Sequence, residues 1–290
     1  MNQMKKVETI LPSPPTHWVG DGFPVSSVIS PQTVRSRLSP YVLFDYAGPA
    51  AFEPSDQPRG VDSHPHRGFE TVTVVYQGEL EHHDSAGNSG SIGPGDVQWM
   101  TAASGVLHEE KHSRDFTRRG GVLEMAQLWV NLPATHKMTP PRYQTLLRDA
   151  IPTVTLPNDS GTARIIAGDF DGTSGAAKTV TPVILWDVKL RKGARVRLPI
   201  PNGYNIAVFV RSGSAWVSET HSAGARQLAV LAAIGDAVIV SAEENSEFLI
   251  LGGQPIDEPV VAYGPFVMNT PDEIQTAIED VRAGRFGRLD

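Results

Sequence analysis

The sequence predicts an all-β protein: two β-barrel-like domains in one chain, followed by a short C-terminal helix. Three observations carry that prediction. Glycine and proline punctuate the chain closely, 27 and 23 of them in 290 residues, which is the pattern of many short strands joined by turns. Helical periodicity is confined to one stretch near the C-terminus. A strand–turn–strand pattern in the first half recurs in the second, as a duplicated domain would show. The length is generous for one domain and comfortable for two.

Bulk properties narrow the function. Hydrophobic and charged fractions of 40% and 20% suit a soluble globular protein. A formal net charge of -7 argues against nucleic-acid binding by bulk electrostatics. The chain has no cysteine, so disulfides, thiolate nucleophiles and zinc–thiolate sites are excluded, and any metal must be held by nitrogen and oxygen. Residues 1–10 lack the apolar core of a secretory signal, and no apolar run is long enough to span a bilayer. The expected location is cytoplasmic, with no membrane partner.

Taken in order, the chain up to about Gly60 reads as a lead-in with β-rich segments at Val25 to Ile29 and Tyr41 to Tyr46. Thr71 to Tyr76 reads as a buried strand ending at Gln77-Gly78, and Glu79 to His82 starts its return. The tight turn Gly93-Pro94-Gly95-Asp96 leads into Val97 to Met100, and Leu123 to Asn131 is a further strand. A proline-rich stretch over 133–155 reads as a linker or a swapped segment. It divides an N-terminal domain, 1–132, from a C-terminal one, 156–290. The helix is expected at Thr270 to Val281: an N-cap Thr, Pro271 at the first helical position, acids in the first turn, and an apolar stripe of Ile274, Ala277, Ile278 and Val281.

The second half repeats the framework. Asn205 to Trp216 parallels Glu70 to Leu80, and Gly235-Asp236 followed by Ala237 to Val240 parallels Gly95-Asp96 followed by Val97 to Met100. An ungapped comparison sets Pro199, Pro201 and Asn205 opposite His64, His66 and Glu70, and Phe248 and Ile250 opposite His108 and Glu110. On that reading the second barrel carries no metal ligands.

The chemistry concentrates in Ser63-His64-Pro65-His66-Arg67-Gly68-Phe69-Glu70 and in Gly105-Val106-Leu107-His108-Glu109-Glu110. Side chains two apart on a strand share a face, so His64 joins His66, and His108 joins Glu110 while Glu109 turns away. If the two strands meet across a barrel, three imidazoles and a carboxylate converge on a metal. Glu70 is the competing carboxylate, otherwise an acceptor behind the ligands or a salt-bridge partner. His82, His83 and His112 read as solvated or hydrogen-bonded surface histidines, and Trp99 and Met100 as core. Lys189, Arg191, Arg195 and Arg197 alternate with apolar residues as the wet face of a strand does, a protein-docking face being the alternative.

These motifs resemble the pirin family, which are bicupins. The H-x-H pair His64 and His66, Glu70, Gly78, the Pro94-Gly95-Asp96 turn and His108 follow the cupin order. His17-Trp18-Val19-Gly20-Asp21-Gly22-Phe23, Leu128-Trp129-Val130-Asn131-Leu132 and Gly264-Pro265-Phe266-Val267-Met268-Asn269-Thr270 look like pirin segments. The resemblance implies two jelly-roll-like cupin barrels with the metal in the N-terminal one and the C-terminal helix packed back across it. It implies His64, His66, His108 and Glu110 as ligands, with the carboxylate taken from two residues past the last His. It also implies a quercetin 2,3-dioxygenase activity on a flavonol or related phenolic, in which Glu110 accepts the 3-hydroxyl proton. The alternative in the family is a non-catalytic, metal-dependent redox sensor or regulatory protein that a protein partner reads. Three imidazoles and a carboxylate leave open positions on one divalent ion. Iron(II) suits the set, and manganese, nickel, cobalt, copper or zinc are not separated from it by ligand softness. Two cupins in one chain already mimic a dimer, so a monomer is expected.

Overall fold

The computed structural model describes residues 3–30 and 35–289. Among them the regular structure is mostly strand, with two α-helices, Arg114–Arg119 and Pro271–Arg282. Neither is long and apolar enough to cross a membrane. The chain forms two compact units. One comprises Pro15–Thr33, Val42–Arg148 and Ile256–Asp290, and the other Met1–Pro14, Val34–Tyr41 and Asp149–Pro255.

The first unit pairs a seven-stranded sheet with a four-stranded one. The larger runs, in spatial order, Arg142–Leu146, Val97–Thr101, Phe69–Gln77, Gly121–Asn131, Tyr41–Phe52, Phe23–Ile29 and Thr16–Val19. The smaller runs Gly60–His66, Val106–His112, Leu80–Asp84 and Ser89–Ile92. Val75, Leu123 and Met125 of the larger sheet share one core cluster with Leu80 and Ile92 of the smaller, so apolar faces of both close the barrel. Phe69 to Val75 is buried at every position, as an unbroken β-rich run in mid-sheet should be. Arg114–Arg119, which the sequence reading missed, is a helix of little more than one turn. Ser113 caps it by accepting from the Phe116 amide.

The terminal helix begins as its sequence foretells. Thr270 and Glu273 form a reciprocal capping box, and Pro271 sits in the first turn. Ile274 and Ala277 are buried in a cluster with Phe266, Met268 and Phe286. The preceding segment docks beside the His64–His66 motif. A Cβ on Gly68, whose φ is +90°, would come within 2.0 Å of the Val267 carbonyl oxygen, so only glycine allows that approach.

The second unit repeats the plan. Its larger sheet orders Val7–Leu11, Leu228–Leu231, Asn205–Ser212, Ser246–Gly253, Val183–Leu190, Gly161–Ala167 and Thr153–Thr155, and its smaller sheet Arg195–Pro199, Ala237–Ala242, Ser214–Val217 and His221–Gly224. Trp186, Leu198, Val238, Phe248 and Ile250 lie in its core.

The observed division differs from the contiguous one expected at 132 and 155. The chain start belongs with the second barrel, which that division did not anticipate, and the terminal helix with the first. Residues 133–155 are not a free linker: Arg142–Leu146 pairs with Val97–Thr101, and Thr153–Thr155 with Gly161–Ala167. Prolines at the ends of these segments suit edge strands, which need fewer amide donors. Lys137, buried, donates from Nζ to the Gly68 and Val267 carbonyls and to Asn131 Oδ1.

Strand pairing also corrects the ungapped comparison. Leu80 pairs with His112, and Ala215 with Ala242, each two residues past a turn glycine. Counting back places Val240 at the position of Glu110 and Val238 at that of His108. Leu198 pairs with Val238 as His64 pairs with His108, and Ile200, two further on, answers His66. Phe248 and Ile250 instead lie in the strand that pairs with Asn205–Ser212, the place Gly121–Asn131 takes in the first barrel. The mistake has a physical origin: Gly235-Asp236 precedes the strand equivalent to Val106–His112, not the one equivalent to Val97–Thr101.

Candidate metal centre

The centre is built on Val106–His112, the strand flanked by Gly60–His66 on one side and Leu80–Asp84 on the other. The two motif strands are hydrogen-bonded neighbours in one sheet rather than strands meeting across the barrel. His108 pairs with His64 on one flank and with Asp84 on the other. After a bulge in the first pairing, Glu110 stands opposite Val61, and it pairs with His82 on the second. Residues opposite one another share a face, so His82, Asp84, His108, Glu110 and His112 all turn inward. His82 and His112 are therefore buried, against the surface reading, and His83 faces away and is half-buried. The alternation Leu80-x-His82-x-Asp84 carried that signal, since the apolar Leu80 fixes which parity points inward.

Three rings converge. The His64 and His108 centroids lie 4.3 Å apart, His66 and His108 4.7 Å, and His64 and His66 4.8 Å. One nitrogen from each lies within 4.8 Å of the others. Their Nδ1 atoms are engaged: His64 with the Asp62 carbonyl at 2.8 Å, His66 with the Pro265 carbonyl at 3.4 Å, and His108 with His82 Nδ1 at 3.4 Å. Nδ1–H donation to a carbonyl leaves Nε2 as a bare lone pair. His108, 0% exposed, has no partner for its buried Nε2. An orphaned nitrogen facing two more imidazoles fits a metal ion, because leaving it unpaired costs about 1–3 kcal/mol. Burial first, and the neighbouring His64 second, hold His66 well below the ordinary imidazole value. Burial, then His66, His64 and His82, do the same to His108. Neutral rings are the form that ligates.

Glu110 is held by a side-chain amide. Gln98 Nε2 donates to its Oε1 at 3.1 Å, Thr73 Oγ1 lies 3.2 Å from the same oxygen with Gln127 Oε1 as its closer acceptor at 2.6 Å, and the Tyr143 hydroxyl donates to Gln98 Oε1 at 3.1 Å. Its carboxylate forms a second potential metal-holding group with His82 and His108. Glu70 belongs to neither group. It stands opposite Thr101 on the face away from Thr73, is 1% exposed, and accepts from Thr101 Oγ1 at 2.7 Å. Burial pushes its carboxyl above the usual range, the Thr101 hydrogen bond opposing.

A cavity of about 220 Å³ opens over His64, His66 and Glu110. Its walls are mostly apolar, with Phe23, Val61, Met125 and Trp129 prominent, and Asp45 and Gln127 supply polar points. Ser27 donates to Asp45 Oδ1 at 2.6 Å, and burial pushes the Asp45 carboxyl up against that hydrogen bond. Trp129 packs on Phe69 at 4.3 Å between ring centroids and on His66 at 5.3 Å. Trp99 and Met100 are buried, as expected of core residues. In the second unit Lys189, Arg191, Arg195 and Arg197 are exposed and pair with Glu247, Asp159, Glu219 and Asp236.

Comparison with known proteins matches the geometry. A family model described as Pirin matches residues 22–130, and one described as the Pirin C-terminal cupin domain matches residues 185–287. A Pseudomonas aeruginosa protein provisionally named a quercetin 2,3-dioxygenase is 53% identical over 98% of this chain and 99% of its own length. Human pirin is 36% identical over 87% of this chain and 84% of its own. A crystal structure of quercetin 2,3-dioxygenase from Acinetobacter baumannii superposes with a TM-score of 0.96 at 47% identity, covering 99% of this chain and all of that one.

Proposed function

The chain belongs to the pirin family, and from that premise we propose that it is a metal-dependent dioxygenase of the quercetin 2,3-dioxygenase type, acting on a flavonol or related phenolic. The observation that carries the reading is the orphaned Nε2 of His108 beside His64 and His66, which line an open, mostly apolar cavity. The names and structures of relatives support the reaction class. A metal closed in by protein on every side would have favoured the sensing role instead.

In this reading His64, His66 and His108 hold the ion through Nε2, and Glu110 completes the set. The donor chemistry, three imidazole nitrogens and one hard oxygen without sulfur, suits iron(II). When bound, the ion supplies Lewis acidity toward a phenolic oxygen and redox chemistry toward dioxygen. The rest falls to the protein. Phe23, Val61, Met125 and Trp129 take up the flat aromatic rings and exclude water. Glu110, aimed by Gln98, accepts the 3-hydroxyl proton of the flavonol as that oxygen becomes an anion. The Gln98 amide stabilises the carboxylate before reaction.

The test is oxygen-dependent loss of quercetin by iron(II)-reconstituted protein, beside His108→Ala and Glu110→Ala variants checked for folding and iron content. Turnover falling by at least about a hundredfold in both variants is expected, as general-base and ligand losses of this kind produce. Wild-type protein that holds iron and leaves quercetin intact would overturn the reading.

A further inference from the structure

His82 and Asp84 lie behind the centre, and neither has a part in the reaction described above. Their hydrogen bonds nonetheless run in one direction. Asp84 Oδ1 accepts from the amides of Ala86 and Asn88 and from Asn88 Nδ2, and its Oδ2 lies 3.1 Å from His82 Nε2. The Ala86 and Asn88 amides and the Asn88 side chain, which also reaches Oδ2 at 3.1 Å, all donate to this carboxyl, so it serves as an acceptor on both oxygens. An ionised carboxylate only accepts, so His82 must present Nε2–H to it and keep Nδ1 as a lone pair. That lone pair faces His108 Nδ1 at 3.4 Å, with Gln98 Nε2 sharing it at 3.3 Å. His108 must in turn carry its proton on Nδ1, which leaves its buried Nε2 bare. Tyr143, stacked on the His82 ring at 4.7 Å and 15°, keeps that ring in plane. For His64 and His66 a backbone carbonyl does the same work. Only His108 depends on a second histidine.

We propose that the Asp84–His82 pair is a positioning device that fixes the tautomer of His108 and directs its Nε2 at the metal. His82 is thus a partner of a ligand and not itself a ligand. The proposal rests on the reading of His108 as a ligand.

Asp84→Asn separates these statements. The amide keeps Oδ1 for the Ala86–Asn88 turn but offers N–H where Oδ2 stood. His82 then turns its lone pair to Nε2 and its proton to Nδ1, so two donors face each other at His108. The probe is zinc alone, with Asn88→Ala as a control that loosens the same turn and leaves the carboxylate. Ring-nitrogen NMR on metal-free wild-type protein should find His108 protonated at Nδ1 and His82 at Nε2. Zinc should move the Nε2 resonances of His64, His66 and His108 and leave His82 Nδ1 in place. Asp84→Asn should shift the His82 tautomer and weaken zinc affinity about 10–100-fold, while Asn88→Ala stays within about twofold. His82 Nδ1 taking a coordination shift would overturn the proposal, as would zinc affinity unchanged in Asp84→Asn or lowered equally in both variants. Wild-type protein that shows these tautomers but takes no zinc would sink the metal reading while upholding the order of hydrogen bonds.

Discussion

His108 is the side chain on which the centre turns, because strand pairing gives it His64 on one flank and the Asp84–His82 pair on the other. Its proposed ligand role and that of Glu110 rest on facing the same interior. Glu70 does not share that interior, since one step along a strand reverses the face. Glu70→Gln should therefore leave metal stoichiometry unchanged. It should cost less than about 1 kcal/mol of stability, because a carboxyl already pushed toward neutrality by burial is well imitated by an amide that still accepts from Thr101. Metal analysis and urea unfolding of the purified variant check both, and loss of the ion would restore Glu70 as a ligand.

At the scale of elements, the terminal helix is tied to the histidine motif. Arg67, next to His66, pairs with Asp280 at 2.8 Å, donates from Nε to the Ser104 carbonyl at 2.7 Å and lies over the Phe286 ring at 4.5 Å. Hydrogen bonds from Arg67, then from Arg285, hold the Asp280 carboxyl below the usual range. A depressed carboxyl stabilises the folded state fully above its unfolded pKa of about 4, and that contribution drains away as pH falls through the folded value. Asp280→Asn should then lose on the order of 2 kcal/mol near neutral pH, somewhat less than a fully buried pair because Asp280 keeps some water contact. The difference from wild type should shrink below about pH 4 as the wild-type carboxyl protonates. Urea midpoints followed across that range report it; a pH-independent gap would mean that helix packing, not the ion pair, supplies the difference.

At the scale of the molecule, one fold is used twice with opposite interiors. His64, His66, His108 and Glu110 in one barrel are answered by Leu198, Ile200, Val238 and Val240 in the other, all buried. Metal at a hundredfold over its dissociation constant should stabilise the binding barrel by about 2.7 kcal/mol. Amide exchange should slow in Phe69–Gln77 and Val106–His112 and stay unchanged in Asn205–Ser212; equal slowing in both units would contradict a centre confined to one. The sequence by itself determined the β class, the duplication, the capped helix and the shared faces of His64 with His66 and of His108 with Glu110. All of these follow from local periodicity, turn chemistry and spacing, which a single chain records. Tertiary structure alone decided that the chain start joins the second barrel, that the two histidine motifs meet as neighbours in one sheet, which residues replace the proposed ligands in the second copy, and that His82 and Asp84 stand behind His108. Those depend on register between strands far apart in sequence, and a shift of one residue in that register exchanges the inside of a barrel for its outside.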